Sequence, residues 1–135
     1  MLTPTQKANL SALFPANRTL IDSVSRLAYE LDAGPFPGLP DAVVILNDAE
    51  ETKRLVEWAA AQRASLVGRG AGTGLTGGAV AAQGGLVASF SRMNTILEID
   101  EDSRLAIVQP GVVNQVLQQR LAPSGLVYPP DPASY

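Results

Sequence analysis

The segment from Gly68 to Ala79 reads GRGAGTGLTGGA, and six of its twelve residues are glycine. Arg69 is its only charged residue, and apolar runs lie on both sides, SLV before it and GGLVASF after it. Glycine loses more backbone entropy on folding than any other residue, so an ordered segment of this kind needs a compensating use. The use that fits best is a bend whose bare peptide N–H groups surround an anion such as a diphosphate. A flexible linker is the weaker alternative, because linkers are usually polar throughout.

Two of the common phosphate-binding loops do not fit this segment. A Walker loop ends in Gly-Lys-Ser/Thr, and no lysine lies in or near the segment. Gly72, Gly74 and Gly77 match the dinucleotide fingerprint GxGxxG, but that design needs a helix directly after the glycines and an acid about twenty residues further on. Only a short stretch follows before the next glycines, and the chain has no acid between Glu57 and Glu98.

The third design is a glycine loop that joins two strands and binds a diphosphate with backbone amides alone. Thr73 and Thr76 can add hydroxyl donors or can simply cap turns. Arg69 can help to neutralise the anion or can be a solvated loop charge. The absence of carboxylates over forty residues of sequence keeps the local potential from opposing an anion. We therefore predict a diphosphate-binding loop between two strands.

The residue pattern predicts an α+β fold, in which a helical N-terminal arm precedes a small parallel β-α-β unit and an antiparallel hairpin. Helices are predicted over 4–14, 22–31, 49–63 and 114–121, and strands over 42–46, 65–67, 86–90, 96–100 and 104–109. Thr3 and Asn47 are the expected caps of the first and third helices. The third helix is expected to bury Leu55, Val56 and Ala59. The Pro/Gly-rich stretch AGPFPGLPD separates an arm, residues 1–39, from a domain, residues 40–135.

Composition excludes several classes of function. The net charge of −3 argues against nucleic acid as a partner, because a phosphate backbone needs a basic surface. The chain has no cysteine and no histidine, which removes thiolate metal sites and the commonest metal ligand and acid/base. No apolar run is long enough to span a membrane. We predict no metal site and no catalytic residue in this chain, so catalysis would have to come from a cofactor or from other residues.

Four ordered blocks resemble a known family: GRGAGTGLTGGA, GGLVASFSRMNTILEID, IVQPGVVN and YPPDPASY. They look like the FAD-binding domain of the FAD-linked oxidases, of the vanillyl-alcohol oxidase or PCMH type. That family includes glycolate oxidase and the D-lactate and D-2-hydroxyglutarate dehydrogenases. The resemblance runs from about Pro40 to Tyr135. It implies that the chain carries the first subdomain of a PCMH-type FAD-binding domain, as the N-terminal part of a longer protein.

The resemblance implies an FAD site made of three segments. The glycine loop would wrap the diphosphate with its backbone and pass the ribityl and flavin side near Gly77. The QPG turn would approach the adenosine side, and the segment that resembles the family's PPDPSS would line the cofactor near its diphosphate. From the residues alone, that last segment is only a rigid turn with an Asx cap. The implied cofactor-binding residues are Arg69, Gly70, Ala71, Gly72, Thr73, Gly74, Thr76, Gly77, Gly78, Ala79, Pro110, Gly111, Pro130, Asp131, Pro132, Ala133 and Ser134.

The implied activity is oxidation of a 2-hydroxy acid, of the glycolate, D-lactate or D-2-hydroxyglutarate class, with FAD taking the hydride and an unnamed acceptor taking the electrons. This chain alone is expected to bind FAD weakly and to be inactive, because the rest of the cofactor site and the substrate cap would lie downstream. A cytoplasmic location is expected, with peripheral membrane association of the longer enzyme as an option. Two alternatives stay open: a stand-alone nucleotide- or diphosphate-binding module without redox activity, and a structural domain that self-associates through exposed strand edges.

Overall fold

The computed structural model describes residues 1–129, which form two compact units, one from Met1 to Arg92 and one beginning at Met93. The first unit contains α1 (Pro4–Leu13), β1 (Thr19–Leu20), α2 (Ser23–Leu27), β2 (Ala42–Ile45), α3 (Ala49–Gln62), β3 (Leu66–Arg69) and β4 (Leu86–Ser89). The second contains β5 (Ile96–Asp100), β6 (Leu105–Val108) and α4 (Asn114–Leu121). The predicted α+β fold is confirmed. No helix among residues 1–129 is long and apolar enough to cross a bilayer.

A four-stranded mixed sheet, in the order β1-β2-β4-β3, is the framework of the first unit. β2 and β3 both run parallel to β4, and β1 pairs with β2 in the antiparallel direction. The parallel orientation of the β-α-β strands is as predicted. The prediction of one parallel pair formed by the two strands that flank α3 is wrong, because β4 lies between β2 and β3. All four residues of β4 are buried. A parallel strand covered on both faces is expected to be apolar almost throughout, which explains its central place.

The helix α3 begins at Ala49, as predicted, but its cap is not the predicted residue. The carboxylate of Asp48, not the side chain of Asn47, accepts the N–H of Glu51 at 2.8 Å and caps the helix. The helix ends at Gln62, and Arg63 follows in the left-handed conformation with a φ of 52°. The predicted extent of this helix is therefore confirmed to within one residue, whereas its predicted cap is wrong.

The buried face of α3 follows the spacing i, i+4, i+7 and i+8 from Glu51. Leu55 and Ala59 are buried as predicted, and Trp58 packs with them. Val56 is half exposed, contrary to prediction, because it lies about a quarter of a turn away from this stripe.

The first 39 residues contribute to the same unit as the main sheet. Thr3 caps α1, as predicted, and the structure adds a reciprocal capping box between Thr3 and Gln6. Leu10 and Phe14 are buried, and β1 extends the sheet at its β2 edge. The boundary between an arm, 1–39, and a domain, 40–135, stays a prediction about the family's domain.

The helix α2 is shorter than predicted and ends at Leu27. The N–H groups of Tyr29 and Glu30 donate to carbonyls three residues earlier, those of Arg26 and Leu27, so the chain tightens into turns. Residues 28–31 therefore lie outside the helix, and Leu31 and Ala33 contact the glycine loop.

The second unit contains the predicted hairpin. β5 and β6 pair antiparallel, and the register has one irregularity between Ile96 and Glu98. At the turn, the carboxylate of Asp100 accepts the N–H of Ser103, and this hydrogen bonding to Ser103 lowers the pKa of Asp100. The three successive acids Asp100, Glu101 and Asp102 therefore lie at an ordinary hydrogen-bonded turn. The helix α4 has the predicted bounds and buries Leu117 and Leu121.

Candidate functional site

The glycine loop begins at the end of β3 and leads towards β4, its parallel neighbour. β3 takes in Gly68 and Arg69, so the strand runs two residues further than predicted. The loop therefore begins at the carboxyl end of a parallel strand, the edge of a sheet where ligands usually bind. The prediction of a glycine loop between two strands is confirmed.

Arg69 is the last residue of β3, and its side chain is buried, with only 8% of the residue exposed. Its Nη2 donates to the carbonyl of Leu31 at 2.8 Å, and its Nη1 donates to the carbonyl of Ala79 at 3.3 Å. The guanidinium carbon lies 5.5 Å from the centre of the Tyr29 ring. A solvated loop charge is thus the wrong interpretation of Arg69. The side chain instead holds the far end of the loop and the segment before it.

The guanidinium of Arg69 has no acidic partner in the part of the chain that the structure describes. Among residues 1–129, no carboxylate oxygen lies within 4.0 Å of its nitrogens. A buried charge is normally paired, since an uncompensated ion in a protein interior costs several kcal/mol. The two carbonyl acceptors satisfy hydrogen bonds but carry no net charge. The electrostatics at the base of the loop therefore favour an anion.

Two glycines of the loop adopt positive φ, Gly72 at 73° and Gly77 at 77°. A Cβ on Gly72 would lie only 2.3 Å from Nη2 of Arg69, so this position must lack a side chain for the guanidinium to fit. Gly70 and Gly78 differ, because a Cβ at either would meet no atom within 4 Å. Their freedom from side chains leaves open space, which is what close approach of a ligand to the backbone requires.

The loop is anchored through its carbonyl groups. The carbonyls of Gly74, Gly77 and Ala79 accept hydrogen bonds from Ala33, Val80 and Arg69 respectively. By contrast, none of the N–H groups from Gly70 to Ala79 donates to any of the residues 1–129. Backbone N–H groups in folded proteins nearly always have an acceptor, whether in the protein, in water or in a ligand. The loop is thus held in place on its acceptor side while its donors remain available to an anion.

The structure gives less information on the other predicted site residues, which are the two loop threonines and the turn in the second unit. Thr73 and Thr76 are exposed, and neither hydroxyl caps a turn among the described residues. Pro110 and Gly111 form a tight turn after β6, closed by the N–H of Val112, which donates to the carbonyl of Gln109 at 3.1 Å. The N–H of Gly111 donates to the carbonyl of Met93 at 2.8 Å. Both belong to the second unit, and their part in the site stays a prediction. The predicted residues Pro130, Asp131, Pro132, Ala133 and Ser134 lie outside the described residues.

Three residues that the sequence did not assign to the site touch the loop from the N-terminal arm: Tyr29, Leu31 and Asp32. The carboxylate of Asp32 accepts the N–H of Gly34 through Oδ1, and its Oδ2 lies 3.9 Å from the Cβ position of Gly74. The expectation of surroundings free of carboxylates is therefore wrong. The neighbouring sequence does lack acids, but the fold brings Asp32 to the loop from about forty residues away in the chain. No local signal around AYELDAG marks this contact.

A known protein family and curated proteins match the sequence of this chain. A family described as an FAD binding domain matches residues 40–135. The chain is 42% identical over 113 residues to glycolate oxidase subunit GlcD of Bacillus subtilis (strain 168), covering 83% of this chain and 24% of that protein. It is 42% identical over 135 residues to D-2-hydroxyglutarate dehydrogenase of Stutzerimonas stutzeri (strain A1501), covering 99% of this chain and 29% of that protein.

The fold also matches a solved structure, that of p-cresol methylhydroxylase (PCMH), with a TM-score of 0.74 and 21% identity. The match covers 90% of this chain and 25% of the methylhydroxylase chain. At this low sequence identity, the match shows only that the fold is that of a PCMH-type domain. In all three comparisons the chain spans about a quarter of the other protein's length.

Proposed function

This chain belongs to the FAD-binding domain family, and on that premise we propose that it binds the diphosphate of FAD at the glycine loop, within a flavin-dependent oxidoreductase. The observation that carries the proposal is the pairing of a buried, unneutralised Arg69 with ten successive N–H groups that have no acceptor among residues 1–129. Together they form a site for a compact, doubly charged anion. The loop fits a diphosphate, because Gly70 and Gly78 leave space at the backbone where one can approach.

The residues of the loop would hold the cofactor rather than react with it. Backbone N–H groups from Gly70 to Gly74 would donate to the diphosphate, with hydroxyls of Thr73 and Thr76 as further donors. The backbone around Gly77 would pass the ribityl and flavin side. We further propose that Pro110 and Gly111 contribute on the adenosine side, and that residues 130–134 line the cofactor near its diphosphate. When bound, FAD supplies a hydride acceptor, which no side chain of this chain can provide.

For the whole enzyme we propose oxidation of a 2-hydroxy acid. This rests on the names of the two relatives, since glycolate and D-2-hydroxyglutarate are both 2-hydroxy acids. The chain contributes no histidine and, on this proposal, no catalytic group. The acid and base groups and the substrate pocket would belong to the part of the enzyme beyond the quarter that these residues match. We propose a cytoplasmic location, and an electron acceptor that the chain does not specify.

Titration of the full chain with FAD and with riboflavin tests this proposal. Riboflavin carries the flavin and ribityl groups but lacks both the diphosphate and the adenosine, so we expect it to bind at least about tenfold more weakly than FAD, with the loss of charge-assisted hydrogen bonds as the main cause. We expect Arg69→Met to weaken FAD binding by about ten- to a hundredfold, because the buried positive charge is lost. Isothermal titration calorimetry at ligand concentrations up to the millimolar range measures both ratios.

Arg69→Lys is the matched control, since lysine keeps the charge but cannot form the same forked contacts with two carbonyls. The affinity of Arg69→Lys for FAD should lie between that of wild type and that of Arg69→Met. Equal affinity for riboflavin and FAD would contradict diphosphate binding at the loop. Equal affinity for ADP and FAD would instead favour a nucleotide-binding module without a flavin site.

A further inference from the structure

Asp32 brings a buried carboxylate oxygen to the glycine loop. Its Oδ1 accepts the Gly34 N–H at 2.8 Å, which forms a local turn. Its Oδ2 is buried and accepts from no donor among the described residues. The neighbouring N–H of Ala33 donates to the carbonyl of Gly74 at 3.1 Å, and this contact fixes the turn against the loop. A carboxylate oxygen without a donor is costly to bury, so its position beside a proposed anion site needs an account.

Two opposite charges therefore meet the loop at different points. The guanidinium of Arg69 lies against Gly72, and the carboxylate of Asp32 lies beside Gly74, two residues further along. The two groups are not an ion pair, because no oxygen of Asp32 lies within 4.0 Å of the Arg69 nitrogens. Arg69 and the free N–H groups attract an anion, whereas Asp32 repels it. The repulsion grows with every additional negative charge on the ligand.

We propose that Asp32 makes the loop selective for diphosphate diesters, as in dinucleotides, over ligands that end in a free phosphate. The inference rests on the proposed function. A diphosphate esterified at both ends carries two negative charges, and a terminal diphosphate carries close to one more near neutral pH, since the last ionisation of a phosphate monoester lies near pH 6. At separations of several ångströms in a partly buried site, one unit charge changes affinity on the order of tenfold. An anion site built only of Arg69 and amides would prefer the opposite ligand, the more highly charged one.

ADP and its β-methyl ester test this selectivity, because they differ only in one methyl group and in the charge of the terminal phosphate. We expect the wild-type chain to bind the ester more tightly than ADP. In Asp32→Asn we expect ADP to gain about tenfold in affinity relative to the ester, because the repelling charge is gone. Asparagine keeps an Oδ1 acceptor for the Gly34 N–H, so the turn is preserved. Calorimetric titration of both ligands gives the ratio, and thermal melting verifies the fold of the variant.

Glu30→Gln is the control for net charge. It removes one carboxylate two residues from Asp32, on a side chain that is not among those nearest to a Cβ built at any glycine of the loop. We expect its ester-to-ADP ratio to stay within about twofold of wild type, since a partly exposed charge is screened by water and salt. If Asp32→Asn does not fold, the wild-type ratio decides alone.

The outcomes separate this inference from the proposed function. Wild-type preference for ADP over the ester overturns the role of Asp32, and so does an equal gain for both ligands in Asp32→Asn. In either case the loop still binds a diphosphate and the proposed function stands. A chain that binds neither of these ligands nor FAD overturns both.

Discussion

Replacing Gly72 with alanine is expected to weaken FAD binding by at least about tenfold. Gly72 has a φ of 73°, a conformation that costs a residue with a Cβ roughly 1–2 kcal/mol. The added Cβ would also lie 2.3 Å from Nη2 and 2.5 Å from Cζ of Arg69. The guanidinium cannot simply move aside, because it is held by the carbonyls of Leu31 and Ala79. Its displacement would disturb both the buried charge and the loop's anchor, so binding should fall more than stability does. Calorimetry with FAD measures the binding affinity, and urea unfolding measures the stability.

Two comparisons identify the cause of that loss. Gly125→Ala places alanine at a φ of 68° in the second unit, where a Cβ meets nothing within 4 Å, and so reports backbone strain alone. In an Arg69→Met background, Gly72→Ala should cost less than in wild type, because the guanidinium that it strikes is absent. Near-wild-type FAD affinity in Gly72→Ala would contradict the proposed coupling of Arg69 to the loop.

Replacing Arg18 with methionine is expected to lower the free energy of unfolding by about 3–5 kcal/mol. Arg18 precedes β1 and reaches the first turn of α3, where it donates to both oxygens of Glu51, at 2.5 and 2.7 Å. The two side chains are only 8% and 10% exposed. Arg18 also donates to the carbonyl of Ile45, and Glu51 also accepts the N–H of Asn47. The variant would leave the buried Glu51 carboxylate with only the half-exposed Arg54, whose Nη2 lies 3.9 Å from Glu51 Oε1. This is a large loss for a domain whose whole stability is about 5–15 kcal/mol.

The double variant Arg18→Met/Glu51→Leu is the control for that prediction. Replacing both members of a buried pair by apolar residues is often close to neutral, so the double variant should be more stable than Arg18→Met alone. Urea unfolding of wild type and the two variants measures the three free energies. A single variant as stable as wild type would show that the pair contributes little.

The same pair predicts how stability changes with pH. The bidentate bond from Arg18 is the largest influence on Glu51 and lowers its pKa, against the opposing effect of burial. A carboxyl whose pKa is lower in the folded than in the unfolded state contributes stability that is present above its unfolded pKa, near 4.3, and is lost as the pH falls through the folded value. Wild type should therefore lose stability in acid below about pH 4, and the double variant, which lacks Glu51, should lose less.

The elements that the sequence predicts well depend on local signals. Thr3 followed by Pro4 marks the start of α1, and the spacing of Leu55 and Ala59 indicates the buried face of α3. The glycine loop itself is visible, because six glycines in one short segment have few other uses. These features need no knowledge of which distant segments meet.

The features that the sequence misses depend on contacts between distant segments. β4 lies between β2 and β3 because it is buried on both faces, a property of the assembled sheet rather than of the crossover that joins its neighbours. The contacts of Arg69 with Leu31 and of Ala33 with Gly74 join residues about forty positions apart. They follow a helix α2 that ends at Leu27, four residues before its predicted end, and the turns at Tyr29 and Glu30. The buried role of Arg69 and the presence of Asp32 at the loop could therefore not be predicted from residue patterns.

The central claim is that the free backbone N–H groups of the glycine loop bind the diphosphate of FAD, and amide NMR tests it most directly. The measurement is a series of ¹H–¹⁵N correlation spectra of the full chain during titration with FAD, which detects even weak binding. The account predicts that FAD shifts the amides between Gly70 and Ala79 most, and that riboflavin, which lacks the diphosphate, leaves the amides from Gly70 to Gly74 nearly unmoved. It would be contradicted if FAD left them unchanged, or if its largest shifts fell instead on the apolar cavity of the second unit around Leu105, Val108 and Leu117.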